Sequence, residues 1–298
     1  MAWGEGGERS ILSNPVYLAK KAHEAKRFGE RAKEIKPDKV LEAAGKRSRF
    51  YKGIKISGLV LDVGCGYGPD ALAILNSCAC EVVGFDISLG ALELAGEVLK
   101  GRSAHLLAAD ASSMPFRDGA FDVANVSYML HHHPWPVIER IASELARVLK
   151  PGGKLVVREP CPSDERGALV EEVWGLLHEL GALKDLGQEL STELRGFLHL
   201  CSTLFGFGWL YPTALEQLLR SKGFEVVRLE FWNEERDLSA LLDSAEERAR
   251  ELDFDEAERA FIRARLDDLR EKMNSLGFKR TRERRLFLVA IKGEGSSP

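Results

Sequence analysis

The chain has 298 residues, 45% of them hydrophobic and 30% charged, with a formal net charge of −4. That is the composition of an ordinary soluble globular protein, one enlarged domain or two small ones, and it excludes a global attraction to nucleic acid or an anionic membrane. Five cysteines at irregular spacing (65, 78, 80, 161, 201) make no disulfide framework, and the opening MAWGEGGERS lacks the basic-then-apolar pattern of a signal peptide, so a reducing, cytoplasmic setting is expected.

Residues 1–57 precede the first strand and are expected to form a helical cap. Apolar residues at Val16, Ala19, Ala22, Phe28, Ala32 and Ile35 recur at helical spacing, Pro37 ends that run, and a second helix is expected over Asp38 to Lys46. The segment holds 14 Lys and Arg against 7 Asp and Glu, leaving −11 for residues 58–298. A solvated helical cap accounts for this excess most simply; a basic arm for RNA is the second reading.

Between residues 58 and 162 the pattern alternates strand and helix, with strands at 59–63, 81–86, 104–109, 121–127 and 154–158 and helices at 70–77, 89–100 and 136–149. Such alternation predicts a parallel sheet covered on both faces, a Rossmann-like α/β core. Residues 163–207 carry a helical stripe (Leu169, Val173, Leu176, Leu180) and read as a first insertion, and the longest apolar stretch, Gly196 to Leu215, is broken too often by polar residues, glycines and Pro212 to span a membrane. The core resumes over 208–232, with a strand from Phe224 to Trp232. It ends with a strand over 284–292, giving seven strands in all. Between them, 233–283 reads as a second helical insertion (Ile262, Leu266, Leu269, Met273, Leu276), packing on the domain or on a second copy of the chain, or serving as a substrate lid.

The chemistry is concentrated at Leu59 to Asp70, LVLDVGCGYGPD. An apolar strand passes through Gly64, Gly66 and Gly68 into a helix opened by Pro69, an arrangement that brings bare backbone and a helix N-terminus close to a ligand. The third glycine of a dinucleotide fingerprint is replaced by Pro69, leaving D-x-G-x-G-x-G from Asp62. Two further strands each end in an acid, Asp86 and Asp110. ADASSMPFRDGAFDVANVSYMLHHHPW (109–135) and ELARVLKPGGKLVVREP (144–160) follow in order.

Together these stretches resemble class I S-adenosylmethionine-dependent methyltransferases, nearest in appearance to the small-molecule enzymes similar to those of ubiquinone and menaquinone biosynthesis. The resemblance implies a sheet whose last strand is antiparallel and a site for S-adenosyl-L-methionine. In it Asp62 serves the amino group of the methionine moiety, and Gly64, Gly66 and Gly68 bring backbone to the same end. Asp86 takes the ribose, Ile87 lies against the adenine, Asp110 and Ala111 take the adenine amino edge, and Asn125 to Tyr128 pass beneath the sulfonium. It also implies an N-terminal helical segment over the cofactor, for which Tyr17, Phe50 and Tyr51 are the candidate contacts.

Methyl transfer from a sulfonium asks the protein mainly to align the nucleophile and exclude water, and a base is required only where the acceptor must lose a proton. The catalytic group is accordingly open: His131, His132, Glu159, Cys161 and His199 are candidates, and His131 to His133, being consecutive, cannot share one helical face as a three-ligand metal site. The favoured acceptor is a small, partly apolar molecule, on the strength of the aromatic run 204–211. Three other readings stand behind it. RNA methylation rests on the basic arm, but Asn125-Val-Ser-Tyr128 lacks the paired prolines of base-amine methyltransferases. Metalloid methylation would use Cys161 and Cys201. The last is a cofactor-binding protein without catalysis.

Overall fold

The computed structural model describes residues 12–13, 15–161, 165–186 and 212–295. Two helices come first, α1 (Pro15–Glu34) and α2 (Pro37–Tyr51). The alternating part follows as β1 (Gly58–Val63), α3 (Pro69–Ser77), β2 (Cys80–Asp86), α4 (Leu89–Val98), β3 (Ala104–Ala108), β4 (Phe121–Ser127), α5 (Trp135–Val148) and β5 (Leu149–Pro160). Then come α6 (Glu165–Leu186), α7 (Pro212–Ser221), β6 (Phe224–Asp237), α8 (Leu238–Arg250), α9 (Glu256–Ser275) and β7 (Arg280–Lys292).

The seven strands form one sheet in the order β3-β2-β1-β4-β5-β7-β6. β1 to β5 pair in parallel, and β7 runs antiparallel to both β5 and β6. Strand order reverses between β1 and β4, and the carboxyl ends of strands flanking such a switch point open a crevice that nothing in the sheet fills. Alternate residues of β1 go to opposite faces, as the pleat requires. Leu61 and Val63 join a cluster with Ile138, Ile141 and Leu145 of α5, whereas Val60 joins Leu72 and Ile74 of α3 and Ala44 and Tyr51 of α2.

The two insertions, far apart in the chain, bury their stripes against each other. Leu169, Val173, Leu176 and Leu180 of α6, Leu238 and Leu242 of α8, and Ile262, Leu266, Leu269 and Met273 of α9 make a second hydrophobic cluster. The aromatic run 204–211, His199 and Cys201 lie outside the described residues. Among the described residues, no helix is long and apolar enough to cross a membrane.

The sheet extends beyond the expected boundaries in two places. Residues 233–237 and 280–283, read above as part of a helical insertion, continue the β6–β7 ladder from Asn233↔Arg284 to Asp237↔Arg280. Their side chains are polar, so no hydrophobic alternation marks them. Ion pairs join the two strands instead: Arg236 Nε to Glu283 Oε2 at 2.7 Å, and Arg285 Nε to Glu234 Oε2 at 3.3 Å. β5 likewise begins at Leu149, with the Lys150–Gly153 turn carried as an irregularity in its pairing with β4.

Helix α1 crosses α4 at backbone contact: a Cβ on Gly90 would lie 2.8 Å from Gly29 Cα. Gly90→Ala therefore overpacks this crossing and is expected to cost about 1–3 kcal/mol and to speed hydrogen exchange in α1. Gly96→Ala, in the same helix with nothing within 4 Å of its added Cβ, is expected to stabilise by about 0.5–1 kcal/mol. Equal behaviour of the two variants in urea denaturation would show that α1 is not seated on α4.

Candidate active site

The crevice at the switch point is a cleft of about 940 Å³, roofed by Lys21, Glu24 and Phe28 of α1. Asp62, Gly64, Gly66, Asp86, Ile87, Asp110 and Ala111 all line it, as do Ser127 to Met129. Seven of the nine residues read from the sequence as cofactor contacts thus meet in one place. The remaining two stand one layer behind. Gly68 packs beneath α4, where an added Cβ would lie 3.1 Å from Leu99 Cδ1, and Asn125 is buried against Asp62.

The glycine turn is held by the next strand. Gly66 N–H donates to Asp86 Oδ2 and Ser88 N–H to Asp86 Oδ1, both at 2.9 Å. Gly66 has φ +53, and a Cβ there would meet no atom of the described residues within 4 Å, so its missing side chain leaves space open on the cleft side. Gly64 differs: its added Cβ would lie 2.6 Å from Met129 Cγ. Asp110 accepts from Ser112 N–H at 2.9 Å and pairs with Lys21 of the roof. Burial pushes the Asp110 carboxyl up, but Lys21 and the Ser112 donors outweigh it and leave it below its ordinary value.

Beneath the turn lies a buried network in which sequence reasoning named Asp62, Asn125 and Tyr51 but missed Asp70, Arg47 and Arg158. Asn125 Nδ2 donates to Asp62 Oδ1 at 2.7 Å. The Tyr51 hydroxyl reaches Asp70 Oδ1 at 2.7 Å and Asn125 Oδ1 at 3.1 Å. Arg158 Nη2 donates to both oxygens of Asp70, at 2.8 and 3.0 Å, and Arg47 of α2 pairs with the same carboxylate. Arg158 carried a signal, since a lone arginine within the apolar LVVREP strand must find a partner when buried. Against the upward push of burial, Arg158 and Arg47 hold Asp70 below the usual carboxylate range. At Asp62 the balance is reversed: burial, and then Asp70, outweigh the Asn125 hydrogen bond and the more weakly felt Arg47 and Arg158 and push it up to about 7. Its Oδ2 and the hydroxyl of Ser127, both on the cleft wall, are buried without hydrogen-bond partners among the described residues.

The three histidines face three ways. His131 Nδ1 lies 2.7 Å from Glu159 Oε2, while Glu159 Oε1 accepts from Met129 and Leu130 N–H at 2.7 and 2.8 Å. His132 packs edge-on to Phe28 beside Glu24, and burial pushes it down to about 4. His133 meets the Tyr17 hydroxyl at 3.0 Å, and burial pushes it down to about 3. Among the described residues no group of three or more His, Cys, Asp or Glu could hold a metal. Cys161 is buried. Tyr128 has φ +55, a strained value for a residue with a side chain, and separates the cleft from a second chamber of about 1500 Å³ that His131 lines.

Comparison with known proteins bears on what this site handles. Residues 60–153 match the methyltransferase-domain family. Demethylmenaquinone methyltransferase of Thermus thermophilus is 32% identical over 173 residues, 56% of this chain and 74% of that one. The chain belongs to the class I S-adenosylmethionine-dependent methyltransferases. Among solved structures, the YcgJ protein of Bacillus subtilis superimposes with TM-score 0.55 at 16% identity, covering 86% of this chain and 100% of that one. The [4+2]-cyclase SpnF gives TM-score 0.53 at 20% identity, with 85% and 81% covered. Those two likenesses concern the fold alone, and a cyclase among them illustrates that this fold does not by itself dictate the reaction. S-adenosylmethionine is the methyltransferase's cofactor, and the donor set fits it: an unpartnered carboxylate oxygen suits an ammonium, and the unfilled space at Gly66 admits ligand against backbone.

The raised carboxyl of Asp62 has a consequence for stability. Its folded-state value lies above the unfolded one of 3.8, so its contribution is complete below that pH and is lost as pH rises through about 7. Asp62→Asn keeps the shape and removes the titration. Relative to the parent, the variant is expected to gain roughly 1–3 kcal/mol between about pH 5 and about pH 8. A difference independent of pH in urea denaturation would mean that Asp62 titrates as an ordinary carboxyl.

Proposed function

We propose that the protein methylates a small, partly apolar acceptor bound in the second chamber, with cofactor in the cleft and Tyr128 between them. The observation that carries this reading is the unpartnered Asp62 Oδ2 on the cleft wall, beside a glycine turn with open space above it. Asp62 holds the ammonium of the methionine moiety, and Asn125 fixes the carboxylate that does so. Backbone at Gly64 and Gly66 meets the same end, and Gly68 shapes the turn from behind. Asp86 accepts from the ribose hydroxyls with the lone pairs left free by Gly66 and Ser88. Ile87 covers the adenine, and Asp110 and Ala111 take its amino edge, with Lys21 yielding its place on Asp110. Phe28, Phe50, Tyr128 and Trp174 supply aromatic surface to the chamber, which suits an acceptor of the quinone or phenol kind. A cytoplasmic setting fits the free thiols of Cys65, Cys78 and Cys80.

The bound cofactor supplies a methyl group on a sulfonium, already a good leaving group. The chain aligns, excludes water and takes a proton. Glu159, anchored by two backbone N–H groups, fixes His131 with its proton on Nδ1, leaving Nε2 as the acceptor. With that methyl group supplied in line to the acceptor, His131 Nε2 would take the proton that the acceptor loses. His132, held neutral by burial and turned toward Phe28 and Glu24, fills the wall instead.

Asp86→Ala is expected to weaken S-adenosylhomocysteine binding at least tenfold in titration calorimetry, because two charge-assisted hydrogen bonds of about 1.5–3 kcal/mol each are lost together with the Gly66 anchor. Unchanged affinity in a folded variant places the ribose elsewhere. Gly66→Val, which fills open ligand space, is expected to abolish thermal stabilisation by the same ligand. For His131→Ala, kcat should fall about 10²-fold or more with KM little changed; an unaltered kcat would exclude it as the proton acceptor.

A further inference from the structure

The chamber beyond Tyr128 is strongly cationic. Eight basic side chains line it against two carboxylates, Glu234 and Glu283. The excess lies at every depth. Arg158 and Arg285 are buried in its floor, Arg27 is half-buried in its wall, and Arg31 and Arg49 are exposed at its mouth. Five of the 14 basic residues of the N-terminal segment line this cavity, and three of them, Arg31, Lys46 and Arg49, are also exposed to solvent.

Ion pairing does not account for all of it. Arg236 and Arg285 are matched by Glu234 and Glu283, Arg158 and Arg47 by Asp70, and Lys46 by Glu42. Arg27, Arg31 and Arg49, by contrast, form no ion pair among the described residues. Arg27 and Arg49 lie over the rings of Phe28 and Phe50 at 5.0 and 4.7 Å, contacts that leave guanidinium edges for a ligand. Arg158, 2% exposed and held by Asp70 through Nη2, keeps an Nε without a hydrogen-bond partner among the described residues. Like charges gathered in a concave, partly desolvated space repel one another, and a guanidinium fork is matched by phosphate or carboxylate oxygens. Burial pushes the Arg27 guanidinium down to about 10; Glu24 opposes that, while Arg31 and Arg248 add to it. A bound anion would relieve this crowding.

We propose that this chamber is an anion site, and that the methyl acceptor is a small molecule bearing a multiply charged group, a phosphate ester or a polycarboxylate, on a partly aromatic or apolar body. The inference rests on the methyltransferase reading for its meaning and on the chamber's own charge for its support. Phe28, Arg47, Tyr128 and His132 line both cavities, so an anion held at the arginines leaves its body directed past Tyr128 toward the cleft. A long polyanion such as RNA is the less suitable partner, because part of the charge sits in a buried floor and the remainder of the chain is acidic.

The test is calorimetric titration of the full chain, saturated with S-adenosylhomocysteine, with pyrophosphate and separately with citrate as probes. At least one is expected to bind, and Arg27→Gln/Arg31→Gln to weaken that binding at least tenfold while cofactor affinity is unchanged. Arg27→Lys/Arg31→Lys, which keeps the charge and loses the fork, is expected to fall between. Preference between the probes tells a phosphate from a polycarboxylate group. Absence of binding by both probes, or equal binding by parent and Gln variant, overturns the inference and leaves the methyltransferase reading intact. Failure of S-adenosylhomocysteine itself to bind overturns both. Tight, steeply salt-dependent binding of a 20-nucleotide RNA that the Gln variant loses would overturn it in favour of a nucleic-acid acceptor.

Discussion

Two carboxylates, Asp62 and Asp70, are buried on either side of the glycine turn, and the site depends on how unequally they are compensated. Asp70 meets two guanidiniums and a phenol hydroxyl; Asp62 meets a single amide. A fully neutralised pair would be a structural plug, and an uncompensated pair would not stay buried. With one charge satisfied and the other left with an unpartnered oxygen at the cleft wall, the protein keeps a local deficit that a cationic ligand group can fill.

The same network explains why the N-terminal helices belong to the catalytic unit. Tyr51 and Arg47 come from α2, and Lys21, Glu24 and Phe28 from α1. The family match over residues 60–153 covers neither helix, yet without them Asp70 would lose two of its three partners and the cleft its roof. Seating α1 against α4 through facing glycines ties this roof to the sheet at backbone distance.

Glu159 performs a comparable task on the other strand end. Being 0% exposed and bonded to two successive backbone N–H groups as well as His131, it sets the course of the chain after β4. Tyr128, just before that turn, is held in a left-handed conformation with Arg158 and Arg285 beside its ring, at 5.1 and 5.2 Å. The strain sits at the partition between cleft and chamber, a place where a fixed aromatic wall matters more than local comfort.

What the sequence determined by itself was whatever is written locally. Apolar runs and their alternation with helical segments placed all seven strands, and D-x-G-x-G-x-G with acids at two further strand ends brought seven predicted residues to one cleft, because short-range spacing and strand-end position survive folding unchanged. Polar strand ends escaped: residues 233–237 and 280–283 pair through charges, which carry no periodicity. Only the tertiary structure decided the Asp62–Asp70 network and the direction each histidine faces. It likewise decided that basic residues of α1 and α2 line a chamber with arginines from β5 and β7. Those relations join residues up to a hundred or more positions apart, and a charged side chain in a sequence looks the same whether water or a buried counter-charge will meet it.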